Sequence, residues 1–202
     1  MKYIISAIVL ILILFSFMSK EVHIKPLHPN DSILAFGDSL TYGYNAKPEE
    51  SYPSTLARLS GYTVINAGIP AETSYDGLRR LPALLENKQI KLMILFFGGN
   101  DILQRLPTAQ LKANLKTMIQ MAKEKEIDVL LISIPNIGLF GLSPLDLYEE
   151  VAEEENIPLL SGMMAEILAN PSLKSDQIHP NAQGYEHMGE AVYEKLKAQG
   201  WL

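Results

Sequence analysis

Residues 33–40 are ILAFGDSL, an apolar run that ends in a glycine, an acid and a serine. A short apolar run bounded by a turn signal is typical of a strand buried in a parallel sheet. Ser39 would then follow the carboxyl end of that strand, where open α/β sheets bind their ligands. A serine hydroxyl is a weak nucleophile alone, so a catalytic role also requires a base and an oxyanion site.

Strand-like and helix-like patterns alternate along the rest of the chain. We expect strands at residues 32–36, 63–66, 92–97, 129–133 and 158–160, and helices at about 52–59, 75–87, 108–125, 145–155 and 182–198. Such alternation predicts an α/β fold with three layers (α/β/α), in which helices cover both faces of a parallel sheet. Five strands fit a flavodoxin-like arrangement. Asn181 is a suitable N-cap for the last helix, and Gly200 follows its end.

Composition limits the classes of function. The chain has 202 residues, of which 48% are hydrophobic, and this is enough apolar material for one substantial domain. A formal net charge of −6 gives no electrostatic footprint for nucleic acid, so we expect no nucleic-acid partner. The absence of cysteine excludes disulfides, thiolate metal sites and a cysteine nucleophile.

The N-terminus resembles an export signal. Lys2 precedes an uncharged apolar run at residues 3–18, which predicts an apolar helix ahead of the domain. We therefore expect a signal or anchor segment at 1–20, a linker at 21–31 and the catalytic domain at 32–202. The protein would be exported to the periplasm or cell envelope and tethered to the inner membrane by this segment, with its body outside by the positive-inside rule.

A second candidate motif lies near the other end of the chain. Asp176 and His179 are three residues apart in the stretch SDQIHP, and Pro180 favours an extended backbone at the histidine. Imidazole titrates near neutral pH and is the natural general base for a serine, while a carboxylate orients the ring. Taken separately, a serine after a strand is usually a turn residue or helix cap, and a D-x-x-H pair is usually a surface loop. Together, they favour a serine hydrolase.

An oxyanion site needs hydrogen-bond donors at the same edge of the sheet. Gly68 follows the second predicted strand, and Asn100 follows the third, after two glycines that allow a close backbone approach. The backbone N–H groups of Ser39 and Gly68 and the side-chain amide of Asn100 are therefore the expected donors. Considered alone, Gly-Gly-Asn is also compatible with an ordinary turn.

These residues resemble the four sequence blocks of the SGNH (GDSL) hydrolases, and most closely their bacterial arylesterase, thioesterase and lysophospholipase branch. The resemblance spans nearly the whole chain after residue 31 and rests on G-D-S-L at 37–40, N-A-G at 66–68, G-G-N-D at 98–101 and D-x-x-H at 176–179. It implies the SGNH hydrolase fold, Ser39 as nucleophile, Asp176 and His179 as its partners, and an oxyanion hole formed by Ser39, Gly68 and Asn100. It also implies that neither a metal nor an organic cofactor is needed.

Two segments depart from that branch. Ile69-Pro70-Ala71-Glu72 replaces the usual Ser-Gly-Asp pattern, and Pro70 removes a backbone donor there. The short apolar segment 135–142 follows the fourth strand. We expect the substrate pocket to be lined by residues of this segment and of the two motifs: Asp38, Ile137, Leu139, Phe140, Leu142 and Ile178. The alternative is that the apolar side chains of 135–142 pack on the domain's own helices.

The sequence therefore predicts a serine ester hydrolase that forms an acyl-enzyme and acts on small-molecule or lipid substrates. Aryl or alkyl esters, acyl thioesters and lysophospholipids are the substrates that the resemblance implies. Deacetylation of an envelope polysaccharide is the alternative within the same class. A non-catalytic lipid- or glycan-binding module and a metallohydrolase are alternatives from other classes.

Overall fold

The computed structural model describes residues 24–138, 141–143 and 145–202. The predicted signal segment with its apolar helix, and the first residues of the linker, lie outside this part of the chain. Among the described residues, no helix combines the length and the apolar character needed to cross a bilayer.

A five-stranded parallel sheet forms the centre of the domain. Its strands are β1 (Ser32–Gly37), β2 (Thr63–Gly68), β3 (Ile90–Phe96), β4 (Asp128–Ile132) and β7 (Leu159–Leu160). They are ordered β2-β1-β3-β4-β7 and every pair is parallel. Counted along the five strands of this sheet, the order is 2-1-3-4-5, that of the flavodoxin-like fold. The predicted α/β sheet is therefore confirmed, with strand ends that differ by one or two residues.

Helices cover the sheet in two packed groups. The longer helices are α2 (Tyr52–Ser60), α3 (Ser74–Leu84), α5 (Thr108–Glu124), α6 (Asp146–Glu155) and α8 (Ala182–Gln199), and α6 packs beside α5. Helix α2 packs against α8, and α3 packs against α5. All six residues of β1 are buried, which requires cover on both faces of the sheet. As predicted, Asn181 caps α8 by accepting a hydrogen bond from the Gly184 N–H, and Gly200 ends it with φ of 86°.

Short elements at the carboxyl edge of the sheet were not predicted. They are α1 (Ser39–Tyr42), α4 (Gly99–Leu103), α7 (Met163–Ala169) and an antiparallel hairpin, β5 (Asn136–Gly138) with β6 (Gly141–Ser143). A helix of one or two turns has too little periodicity to be recognised in the sequence. Gly98, before α4, has φ of 127°, and a Cβ there would lie 2.1 Å from the Tyr148 hydroxyl. Only glycine allows this close approach.

Candidate active site

Ser39 is the first residue of α1, directly after the buried strand β1. The chain bends at Asp38, directly after Gly37, where a Cβ would lie 2.2 Å from Thr41 Oγ1 and 2.5 Å from the Phe96 carbonyl oxygen. Asp38 is the N-cap of α1, and its Oδ1 accepts a hydrogen bond of 3.0 Å from the Leu40 N–H. The tight turn and the cap fix the position of the serine beyond the end of the strand.

The loop before α8 brings a histidine and an aspartate to this serine. His179 Nε2 lies 3.1 Å from Ser39 Oγ, across 140 residues of sequence. The other ring nitrogen, Nδ1, lies 2.8 Å from Asp176 Oδ2. The structure thus brings together the three side chains that the two motifs single out, in a continuous chain of hydrogen bonds. The Tyr44 ring lies against the imidazole, with 4.8 Å between the ring centroids.

Several donors converge on the Asp176 carboxylate. Its Oδ1 accepts hydrogen bonds from the backbone N–H groups of Ile178 (2.9 Å) and His179 (2.8 Å), and its Oδ2 accepts one from Asn45 Nδ2 at 3.0 Å. Partial burial acts to raise the pKa of Asp176, but the bonds from Ile178 and His179 outweigh it and hold the pKa below its usual value. The carboxylate is therefore ionised and oriented toward the imidazole. Sequence reasoning missed Asn45, whose φ of 65° marks it as an unusual residue.

Gly68 does not occupy the position expected of an oxyanion donor. It lies under α1, where a Cβ would be 2.1 Å from the Tyr42 nitrogen, and its N–H donates to Asn66 Oδ1 at 3.0 Å. Among the described residues, those that line the cleft beside Ser39 include Ala71 but not Gly68. The expected place of Gly68 at the cleft is therefore corrected: the described residues of this loop that line the cleft are Pro70 and Ala71.

Ala71 lies in a strained turn. The Glu72 N–H donates to the Ile69 carbonyl oxygen at 3.4 Å, and Ala71 between them has φ of 67°. Pro70 at the second position and a positive φ at the third are typical of a type II turn. The third position favours glycine, so alanine carries strain of about 1–2 kcal/mol there. Pro70 is a signal for a turn at this point of the sequence, but nothing in the sequence indicates that Ala71 has a positive φ.

Asn100 lies in α4 and lines the same cleft. Its Nδ2 donates to Asp38 Oδ2 at 3.2 Å and to the Glu72 carbonyl oxygen at 2.8 Å. The amide is thus held between the end of β1 and the loop after β2, with its plane fixed beside Ser39. The structure therefore places Asn100 at the same cleft as Ser39.

Asp38 is a buried carboxylate with only 1% of its surface exposed. Burial raises the pKa of Asp38 to about 7, and the nearby Asp101 adds to the rise, while hydrogen bonds from Leu40 and Asn100 partly oppose it. The folded state consequently favours the protonated form of this residue well above the pH at which an exposed aspartate ionises.

Asp38→Asn is expected to flatten part of the dependence of stability on pH. The pKa is higher in the folded state than its ordinary value of 3.8, so the contribution of Asp38 to the free energy of unfolding is greatest at low pH and is lost as pH rises through about 7. Between pH 5 and pH 8 the wild type should lose about 2–3 kcal/mol more than the variant, at ~1.4 kcal/mol per pH unit. Urea unfolding of both proteins at each pH unit from 5 to 8 measures the difference. Parallel plots of the free energy of unfolding against pH would contradict the prediction.

A cleft of about 270 Å³ opens beside Ser39 and His179. Its walls are mostly apolar and come from α4, the end of β4, α7 and the loop before α8: Ile102, Leu103, Ile134, Met164, Leu168 and Ile178. Asp38 and Ile178, two of the predicted pocket residues, line it. Met164 and Leu168 were missed because no pattern in the sequence predicted α7. Ile134 could have been found, since it directly follows a predicted strand.

The other predicted pocket residues belong to the segment after β4. Leu142 is partly buried and packs against the core, and it is not among the described residues that line the cleft. The prediction that it lines the pocket is therefore corrected. Its position agrees with the alternative that this segment packs on the domain itself. Ile137 lies in β5. Leu139 and Phe140 lie outside the described residues. Within the described part of the chain, no three histidine or acidic side chains are grouped as metal ligands would be.

Comparison with known proteins agrees with the four sequence blocks. The GDSL-like lipase/acylhydrolase family model matches residues 35–187. The chain is 31% identical over 174 residues to a protein of Escherichia coli (strain K12) named thioesterase 1/protease 1/lysophospholipase L1, a match covering 83% of this chain and 84% of that protein. It is 30% identical over 177 residues to an arylesterase of Vibrio mimicus, covering 83% of this chain and 88% of that protein.

A solved structure has the same fold. The crystal structure of TesA superposes with a TM-score of 0.75 at 31% identity, covering 84% of this chain and 99% of that one. The resemblance found in the sequence is thereby confirmed. By the extent of the family match and the identity to these relatives, the chain is a hydrolase that belongs to the GDSL-like lipase/acylhydrolase family.

Proposed function

We propose that this protein hydrolyses carboxylic esters through an acyl-enzyme formed on Ser39. The observation that carries the proposal is the hydrogen-bonded chain from Ser39 Oγ to His179 Nε2 (3.1 Å) and from His179 Nδ1 to Asp176 Oδ2 (2.8 Å). A nucleophile within reach of a base, which a third group orients, is the arrangement that acyl transfer to serine requires.

Ser39, His179 and Asp176 have distinct roles in the proposed mechanism. Ser39 Oγ attacks the carbonyl carbon while its proton passes to His179 Nε2. Asp176 holds the proton on Nδ1 and stabilises the imidazolium that forms. His179 then protonates the leaving alcohol or thiol, the acyl-enzyme remains, and a water deprotonated by the same nitrogen releases the acid.

The tetrahedral intermediate requires donors for its oxyanion. We assign this role to the backbone N–H of Ser39, the side-chain amide of Asn100 and the N–H of Ala71 in place of Gly68. In this proposal, Asn100 Nδ2 keeps its bond to the Glu72 carbonyl oxygen and turns toward the oxyanion the hydrogen that it donates to Asp38 Oδ2 at 3.2 Å. Ala71 and Asn100 both line the cleft with Ser39, and the N–H of a first-turn helical residue such as Ser39 has no acceptor within its helix. Loss of one such donor typically lowers the rate by about 10²–10³.

The cleft supports an acyl or aryl substrate of modest size. Its volume of about 270 Å³ lies just below the range typical of drug-sized ligands, and its walls are apolar. Each methylene buried there would gain about 0.8 kcal/mol until the cleft is full. The relatives named arylesterase and lysophospholipase agree with aryl esters, acyl thioesters and lysophospholipids as the substrate class.

Turnover and covalent labelling test the proposal together. We expect the purified protein to hydrolyse 4-nitrophenyl esters, with kcat/KM rising from acetate through short acyl chains and then levelling as the cleft fills. A fluorophosphonate should inactivate it and add one phosphonyl group, which peptide mass spectrometry would locate on Ser39. Excess chelator should leave the rate unchanged.

Other outcomes would favour the alternatives. Release of acetate from acetylated polysaccharide without cleavage of longer esters would indicate an envelope O-acetylesterase, which the apolar cleft disfavours. Binding of acyl ligands without turnover of any ester would indicate a non-catalytic module and would refute the proposal.

A further inference from the structure

The ion pair between Arg80 and Glu72 contacts the segments that carry the three proposed oxyanion donors. Arg80, in α3, places its Nε 2.7 Å from Glu72 Oε2 and 3.0 Å from Oε1. The two side chains are only 22% and 15% exposed, so this pair is far more shielded than the surface pair Arg58–Glu186, where the values are 61% and 55%. Proposed chemistry at Ser39 does not use either residue.

The same guanidinium joins the ends of two strands. Arg80 Nη2 donates to the carbonyl oxygen of Gly37 at 3.2 Å and to that of Ala67 at 2.8 Å. Gly37 ends β1 two residues before Ser39, and Ala67 lies at the end of β2, whose loop leads to Ala71. The guanidinium also stacks on the buried Phe36 ring, 4.5 Å from its centroid. A planar fork can make all these contacts at once, whereas a lysine ammonium cannot.

Glu72 extends this link to the third donor. Its backbone carbonyl oxygen accepts the 2.8 Å hydrogen bond from Asn100 Nδ2, and its own peptide follows directly after Ala71. Holding the Glu72 side chain therefore fixes both the strained turn that carries the Ala71 N–H and the acceptor that orients the Asn100 amide. All three donor segments are connected to one guanidinium.

We propose that Arg80 is a positioning residue for the oxyanion hole: its pairing with Glu72 and its bonds to Gly37 and Ala67 set the relative placement of the Ser39, Ala71 and Asn100 donors. The inference rests on the proposed function. Arg80 touches no substrate, so its loss should affect the transition state more than the binding of a neutral ester.

Arg80→Lys, with Arg58→Lys as the matched control, tests this role. We expect Arg80→Lys to lower kcat for a 4-nitrophenyl ester by about 10- to 100-fold, since displacing aligned donors is costly to the transition state, while KM changes less than about threefold. The labelling reaction with a fluorophosphonate also develops charge on an oxygen, so its rate should fall together with kcat. Arg58→Lys should leave kcat, KM and the labelling rate at wild-type values.

A second variant separates positioning from stability. Arg80→Ala should regain part of its kcat when millimolar methylguanidinium is added, and should not respond to equal methylammonium. The final extent of fluorophosphonate labelling counts the folded active sites. A loss of kcat that is explained by fewer folded active sites would overturn the inference. Wild-type kcat in Arg80→Lys, or an increase in its KM alone, would also overturn it. If the wild type hydrolyses esters and Ser39→Ala does not, the proposed function is upheld whatever the Arg80 variants show. Absence of wild-type turnover would refute both.

Discussion

Ser39→Ala is expected to lower kcat for ester hydrolysis by at least ~10³, because no acyl-enzyme can form without the hydroxyl. KM should change little, since the methyl group of alanine leaves the apolar cleft intact. Steady-state hydrolysis of 4-nitrophenyl butyrate, with the enzyme quantified by absorbance, measures the loss. The variant should also take up no phosphonyl group from a fluorophosphonate.

Ser60→Ala is the matched control for this substitution. Ser60 ends α2, and its Oγ donates to the Leu56 carbonyl oxygen at 2.7 Å, so the change removes a hydroxyl outside the cleft. It should retain wild-type kcat. The thermal midpoint of Ser39→Ala should lie close to that of the wild type, which separates lost chemistry from lost folding. Near-normal activity of Ser39→Ala would overturn the proposed mechanism.

His179→Ala is expected to cause a loss of similar size, at least ~10³ in kcat. Its Nε2 is 3.1 Å from Ser39 Oγ, and alanine leaves the hydroxyl with no base to take its proton. Because the serine and the histidine act as one unit, the double variant should be little worse than either single variant. Asp176→Asn should also be impaired, since it removes the charge that stabilises the imidazolium.

His187→Ala provides the control, since His187 is an exposed histidine of α8. It should retain full activity. The pH at which kcat/KM is measured must be held constant across the set, because removal of the base also changes the pH dependence. Additive losses in the double variant, or wild-type activity in His179→Ala, would show that the two side chains do not act together.

Local patterns were sufficient to predict most of the fold. The buried strands β1, β3 and β4 each contain an apolar run of at least four residues. Helix α8 has a cap residue at its start and a glycine at its end, so each element is specified by neighbouring residues. The elements that escaped prediction, such as α7 and the β5–β6 hairpin, are short. Contacts with the rest of the domain stabilise them more than their own periodicity does.

In the candidate site, too, local motifs could be predicted from the sequence, whereas contacts between distant segments could not. The motifs around Ser39 and His179 were recognisable because each carries its chemistry within four or five residues. The sequence favours the glycine at 68 as a donor near Ser39, whereas the path of the loop brings Ala71, three positions later, to the cleft. The contacts from which we propose a role for Arg80 could not be predicted, because its partners belong to β1, β2 and the loop between β2 and α3.

The sequence by itself determined the fold class, and it singled out Ser39, Asp176 and His179 as the candidate nucleophile and its partners, because these inferences depend on side-chain identity and on order along the chain. Only the tertiary structure decided which residues of the loop after β2 line the cleft and which helices form its walls. It also decided that burial raises the pKa of Asp38 to about 7. Those properties depend on distances between segments remote in sequence and on the exclusion of water, and neither is encoded in any single stretch of residues.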